Sequence, residues 1–325
     1  MQFRRLAKVG KSMRKKRILV TGGCGFIGSR VVQRLLATPH AIFVIDDLSR
    51  ADRSAIPEGL VDLKVCDIRS EAAREYIREI APHFVIHLAA QIDVQVSIAE
   101  QLLDADINIM GTLNVMEACK QVADFERFVF ASSAAVYGNN AELPLTEDAI
   151  PMPISPYGMS KWMGEEYLKL NHETADFPYC ALRFANVYGE KGTAAKDVIS
   201  EFWDKVTSGE SPVIHGDGEQ TRDFVYVEDI AEALVLALDV QENGIYNIST
   251  DEQTSINDVL RVMSELLQVQ VVPENRMARV GDVRDSRLSN RKFLEMTCWQ
   301  PLHRLAKGLE RMHVEKQNQE MVLMK

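Results

Sequence analysis

Residues 157–161, Tyr-Gly-Met-Ser-Lys, set a phenol and an ammonium four positions apart. On a helix that spacing brings both side chains to one face. A tyrosine ordinarily loses its proton at about pH 10. A neighbouring ammonium and an oxidised nicotinamide both favour the phenolate, so Tyr157 beside Lys161 can act as a base near neutrality. Ser132 and Ser133 close an apolar run upstream, with Ser133 24 residues before the tyrosine. A hydroxyl at such a strand end can hold a reacting alcohol or ketone oxygen. YxxxK alone is common. Joined to a strand-end serine and a nicotinamide site, it specifies hydride transfer between alcohol and ketone.

Residues 21–28, Thr-Gly-Gly-Cys-Gly-Phe-Ile-Gly, supply that site. Gly22, Gly25 and Gly28 follow an apolar strand and open a helix. Gly22 permits the tight turn, Gly25 lets a pyrophosphate approach the backbone, and Gly28 lets helix and strand pack closely. Phe26 and Ile27 ride on the same turn, where unpaired N–H groups and the positive dipole end face the phosphates. Asp46 ends the second strand, 18 residues after Gly28. An acid there accepts from both ribose hydroxyls and repels a 2′-phosphate, which favours NAD over NADP. Arg50 tempers that exclusion. Asp67 and Ile68 fall where adenine would lie. Leu88, Ala89 and Ala90 are small and apolar, as needed where a cofactor crosses the sheet edge, and His87 reads as a strand residue.

The elements that must position these groups alternate in the first half. Apolar runs 17–21, 41–46, 83–88 and 127–131, with an alternating run at 61–66, are separated by helical patterns at 25–37, 70–80 and 102–121. A helix at 157–175 and a strand at 179–184 continue the series. Continuous apolar strands between helices mean a parallel sheet covered on both faces, and right-handed crossovers make it a doubly wound Rossmann-type α/β sheet. Beyond Gly189 the elements shorten and turn residues multiply, which predicts a smaller interleaved C-terminal substrate lobe. The expected division is a basic disordered tail at 1–16, a cofactor domain at 17–188 with late sheet elements at about 213–250, a lobe at 189–312 and a frayed end at 313–325.

The charge is uneven. Net −10 overall, with eight basic and no acidic residues among the first 17, leaves −18 on the rest. So acidic a body repels polyphosphate, which argues against nucleic-acid binding and requires any anionic substrate to meet a local arginine cluster. Five scattered cysteines without a CxxC pair indicate neither a metal site nor a disulfide framework, and fit reduced thiols in the cytoplasm. No apolar run reaches the roughly 18–20 residues that span a bilayer, and no secretory signal is visible.

From TGGCGFIG through HLAA, FASSAAVYG, SPYGMSK, LRFANVYG and GDGEQTRDFVYVEDIA to RVGDVRDSRLSNRK, across residues 17 to about 312, the chain resembles the extended short-chain dehydrogenase/reductase family in its nucleotide-sugar epimerase/dehydratase branch. It is most similar there to epimerases acting at carbon 4 of UDP-glucose or UDP-N-acetylglucosamine. The resemblance implies a catalytic trio of Ser133, Tyr157 and Lys161. It puts Asp46 and Asp47 at the adenosine ribose, Asp67 and Ile68 at adenine, Asn108 near the cofactor and Lys161 also at the nicotinamide ribose. It puts Asn186, Arg222 and Arg279 at the substrate diphosphate and Asp282 near the uridine ribose. Ser286 matches a position where bulk limits the sugar pocket, and a small residue there implies room for an N-acetyl group. The family also implies a homodimer through helices 102–121 and 157–175. Dehydratases of the branch place an Asp-Glu pair after the catalytic hydroxyl residue, and decarboxylases tend to carry a Glu. Ala134 and Ala135 stand there instead and move no protons. A UDP-glucuronate 4-epimerase and a non-catalytic NAD-binding protein are the further alternatives.

Overall fold

The computed structural model describes residues 15–190, 197–278 and 283–323. In chain order the first elements are β1 (Arg17–Thr21), α1 (Phe26–Leu35), β2 (Ala41–Asp46), β3 (Asp62–Val65), α2 (Glu71–Ile80) and β4 (Phe84–His87). Then come α3 (Val94–Ala99), α4 (Gln101–Ala105), α5 (Thr112–Cys119), β5 (Arg127–Ser133), α6 (Pro156–Ala175) and β6 (Tyr179–Phe184). Their local signals are physical. Ser70 caps α2 by accepting from the Ala73 N–H, and Ser155 caps α6 by accepting from the Gly158 N–H, with Pro156 at the first helical position.

The central sheet has seven strands in the order β11-β6-β5-β4-β1-β2-β3, where β11 is Gly244–Ile248, and every pairing in it is parallel. The order reverses between β1 and β4, which sets the switch-point crevice at their carboxyl ends. The strands β4 and β6 are buried at every residue, and β5 at all but its last. One apolar layer joins Val31, Val32 and Leu35 of α1 to the sheet, and the opposite layer joins Ile77 of α2 and Val115 and Met116 of α5 to it.

The remainder contributes β7 (Asn186–Tyr188), α7 (Val198–Thr207), β8 (Val213–His215), β9 (Thr221–Arg222), β10 (Phe224–Tyr226) and α8 (Val227–Leu236). After β11 follow β12 (Thr254–Ser255), α9 (Ile256–Leu267), β13 (Glu274–Arg276), α10 (Arg291–Met296) and α11 (Leu305–Leu323). Three two-stranded ribbons, β10 with β7, β12 with β9 and β13 with β8, build the lobe over a third core containing Tyr188, Phe202, Trp203 and Met263. The chain leaves the sheet at β6, enters the lobe at β7, and returns through α8 and β11.

Two expectations change. The helix read over 102–121 is interrupted: residues 106–111 form a π-helical turn between α4 and α5, in which the Thr112 hydroxyl donates to the Asn108 carbonyl at 2.6 Å. Of the end expected to fray at 313–325, residues up to Leu323 are helical as part of α11, within which Glu315 pairs with Arg30 and Arg311, and Lys316 with Glu190 and Asp204. Of the basic segment, residues 1–14 lie outside the described residues. Lys16 is tied down by an ion pair with Glu126.

Candidate active site

The glycine loop leaves β1 and folds back beneath the start of α1. Gly22 has φ +69°, a left-handed conformation that a side chain resists. A Cβ on Gly28 would lie 2.1 Å from the Gly22 carbonyl oxygen, so only glycine lets helix and loop approach this closely. No side chain caps the first turn of α1, and no acid stands in it. Asp46 locks the loop from β2, its Oδ2 accepting from the Cys24 N–H and its Oδ1 from the Leu48 N–H, each at 2.9 Å. Burial pushes its carboxyl above the usual range, and the two N–H donors oppose that shift.

A cavity of about 450 Å³ opens at the carboxyl edge of the sheet. It is lined by Gly22, Gly25, Phe26, Ile27, Gly28, Asp46, Asp47, Asp67, Ile68, Leu88, Ala89, Ala90, Tyr157 and Lys161. These are all the cofactor residues read from sequence except Asn108. That residue lies behind the wall, 2 % exposed, bonded to the Gln91 backbone and to Asp104 and Ser160. Ser49, Arg50, Gln91, Ile92, Val96, Leu103 and Ile107 also line the cavity. The Asp67 carboxylate is held below its usual range by Arg69, which also pairs with Asp106. The uncapped helix start, the side-chain-free loop and the acid at the end of β2 together fit a dinucleotide.

His87 sits under this floor. The Thr112 hydroxyl spends its proton on Asn108, so His87 Nε2 must donate to Thr112 at 3.0 Å, and Nδ1 accepts from Thr21 Oγ1 at 2.8 Å. Burial lowers this imidazole to about 3, and it stands neutral as a brace between β1, β4 and the π-turn.

Tyr157 and Lys161 occupy successive turns of α6. The lysine Nζ donates to the Ala131 carbonyl at 2.9 Å, lies 5.1 Å from the Phe130 ring centroid and 5.9 Å from that of Tyr157. Withdrawal from water lowers it to about 8, against the opposing field of Asp104. The same withdrawal raises Tyr157 to about 12, with the Ser133 hydroxyl pulling the other way. The sequence expectation that the ammonium depresses the phenol is therefore not met by the protein alone: the lysine is turned to a backbone carbonyl, and desolvation outweighs it.

The two serines separate. Ser132 Oγ donates to Glu165 at 2.5 Å, and Glu165 forms a bidentate pair with Arg183, both side chains being buried. Ser133 is half-buried, shares a hydrogen bond with the Tyr157 hydroxyl and accepts from the Ala135 N–H. Glu165 was missed from sequence, although Tyr157, Lys161 and Glu165 form one i, i+4, i+8 stripe that marks it.

The residues expected from sequence to hold the substrate lie apart from the cofactor cavity, around residues 221–224. Asn186 is exposed on β7, and its N–H donates to the Asp223 carbonyl. Arg222 is half-buried, with Nη1 donating to the Thr221 carbonyl. Ser286 is buried beside Asp285, which accepts from Thr221 Oγ1. Arg279 and Asp282 lie outside the described residues.

This is the fold and site of a nicotinamide-dependent enzyme of the Rossmann type. The family model described as the NAD dependent epimerase/dehydratase family matches residues 18–249. A UDP-glucose 4-epimerase of Mycolicibacterium smegmatis is 36% identical over 303 residues, covering 90% of this chain and 96% of that protein. A UDP-glucose 4-epimerase structure with UDP-glucose from Thermotoga maritima is 36% identical, with a TM-score of 0.89 over 94% of this chain and 99% of that one. A UDP-N-acetylglucosamine 4-epimerase structure from Methanobrevibacter ruminantium, in complex with UDP-N-acetylmuramic acid, is 32% identical, with a TM-score of 0.85 over 94% and 100%. The chain belongs to the NAD-dependent epimerase/dehydratase family. Its cofactor is NAD.

Proposed function

We propose that the chain interconverts UDP-sugars that differ in configuration at carbon 4. The observation that supports this reading is that Tyr157 and Lys161 line the cofactor cavity with Ser133 hydrogen-bonded to Tyr157, followed by Ala134 and Ala135 with no proton-transferring pair. When bound, NAD supplies a two-electron acceptor that takes and returns hydride at the sugar carbon. Tyr157 accepts the proton of the 4-hydroxyl and later gives it back, so no net acid or base is consumed. Ser133 holds the oxygen that alternates between alcohol and ketone. Lys161 supplies a fixed positive charge beside the phenol and holds the nicotinamide ribose.

Asn186, Arg222, Arg279 and Asp282 grip the UDP portion, a focused cationic clamp on an acidic protein. The small Ser286 leaves room for an N-acetyl group, and both UDP-glucose and UDP-N-acetylglucosamine are substrates. Ser286→Tyr then depresses turnover of the N-acetyl sugar selectively, and equal loss on both sugars would count against the pocket. The enzyme works as a cytoplasmic homodimer, in which Leu102 and Met110 on one side and Met159 and Leu170 of α6 on the other, all exposed, meet their copies. Among the described residues no helix is long and apolar enough to cross a membrane.

The deciding experiment incubates the purified protein with each UDP-sugar, without added reductant, and reads the products by NMR. Appearance of the 4-epimer supports the reading. A 4-keto-6-deoxy product or no turnover with NAD bound rejects it.

A further inference from the structure

The mechanism above leaves one buried carboxylate beside the site without a task. Asp104 lies on α4, two residues before the π-turn, and is 1 % exposed. Its Oδ1 accepts from Gln91 Nε2 at 2.9 Å and from Asn108 Nδ2 at 3.1 Å. Asn108 Nδ2 also reaches Ser160 Oγ at 3.1 Å, and Ser160 donates to the Tyr157 carbonyl at 3.0 Å. A continuous hydrogen-bonded path thus joins the carboxylate to the turn of α6 that carries Tyr157 and Lys161. No Lys, Arg or His among the described residues comes within ion-pair distance of Asp104. A carboxylate withdrawn from water this far is costly unless its field acts on a nearby cation.

We propose that Asp104 is a positioning residue that sets the charge balance of the Tyr157–Lys161 pair, keeping the lysine cationic and the tyrosine able to return the proton it takes. The chemical purpose rests on the 4-epimerase reading; the electrostatic role does not. Asp104 opposes the downward shift of Lys161 and adds to the upward shift of Tyr157. Lys161 and the cationic nicotinamide both draw the phenol toward ionisation. A phenol drawn too far becomes a weak base, and a base that works in both directions must stay matched to its partner. A fixed negative charge on the neighbouring helix restrains that pull.

The other groups around the pair do not perform this role. From β4, His87 is neutral between two threonine hydroxyls. From β5 come the Ser132 and Ser133 hydroxyls and the Phe130 ring. Glu165 of α6 and Arg183 of β6 cancel each other.

The test is Asp104→Asn in the NAD-loaded enzyme, which keeps an acceptor oxygen for Gln91 and Asn108. Both limbs of the kcat–pH profile on UDP-glucose should move to lower pH by about one pH unit. The phenolate absorbance of Tyr157, taken as the difference from a Tyr157→Phe enzyme and needing no sugar, should move the same way. Asp104→Glu should bring both back toward wild type. A uniform loss at all pH values with an unmoved phenolate midpoint would overturn the inference. Asp104→Ser replaces the Asn variant if the latter does not fold. Failure of both neutral variants while Asp104→Glu folds also overturns it, since the charge would then serve the fold. A wild-type enzyme that leaves UDP-sugars unchanged, with the phenolate midpoint still moving in the variant, would sink the epimerase reading and leave this one standing.

Discussion

Replacing Glu165 by Gln removes one proton's worth of charge from the interior and little volume. Glu165 and Arg183 are 0 % and 1 % exposed at the side chain. The carboxylate accepts from Arg183 Nε at 2.9 Å, from Nη2 at 2.7 Å and from Ser132 Oγ at 2.5 Å. The guanidinium also lies 4.6 Å from the Tyr137 ring centroid and is buried. Glu165→Gln therefore leaves a buried cation with one neutral acceptor in place of a bidentate anion. Breaking a buried pair from one side costs about 3–5 kcal/mol. At roughly 2–4 °C per kcal/mol for large domains, the melting temperature should fall by at least about 6 °C. Urea denaturation and calorimetry of the NAD-loaded enzyme measure both quantities. The double variant Glu165→Met with Arg183→Met should recover most of the loss, because apolar replacement of a whole buried pair is often near neutral. A single-variant cost below about 1 kcal/mol would refute the reasoning, and so would a double variant no more stable than the single.

Ser133→Ala should lower kcat by about 10²-fold, the scale of one lost transition-state donor, while Ser132→Ala should chiefly lower stability. Steady-state kinetics beside thermal melts distinguish them, and equal kcat losses would contradict the assignment. Gly28→Ala should abolish NAD retention, because its Cβ would meet the Gly22 carbonyl at 2.1 Å; the bound nucleotide released on acid precipitation reports this. Asp223 is fully buried, and burial raises its carboxyl to about 6 against donors from Thr250 and Leu288. A raised acid favours the folded state below its unfolded value and withdraws that support as pH climbs through about 6. Relative to Asp223→Asn, the wild type should therefore lose up to about 3 kcal/mol between pH 4 and pH 8, measured by urea titrations at each pH. A constant difference between the two proteins would refute it.

The sheet was readable because its strands are buried on both faces and so appear as unbroken apolar runs, as in RILVT and RFVFASS. The cofactor loop was readable because glycine is irreplaceable where backbone meets backbone, as at Gly28. The π-turn was not. The Thr112 hydroxyl donates to the Asn108 carbonyl within it, and Asp106–Gly111 reads as ordinary helix. Arg183 in the strand YCALRF suggests an exposed position, yet it is buried because Glu165 arrives from α6. Asp104, Asn108 and Thr112 form a polar stripe at i, i+4, i+8 facing that of α6. Two such stripes on separate helices were the available signal, but nothing in the sequence states that the helices face each other. The residues proposed to hold the substrate are harder still, since Asn186 and Arg222 lie on ribbon strands of two or three residues, too short for a periodic pattern.

The threading of the chain has an evolutionary side. The lobe is not an appendix that could be exchanged as a cassette. β7 follows β6 with one residue between, α8 lies against α1 through Arg34 with Glu228 and Glu232, and β11 completes the sheet only after the lobe has begun. A chimera that swaps residues 189–312 for those of a paralogue exchanges an edge strand and a layer of the cofactor core as well. New specificities on this scaffold must therefore arise by point changes within the lobe, or by recombination at several crossover points at once.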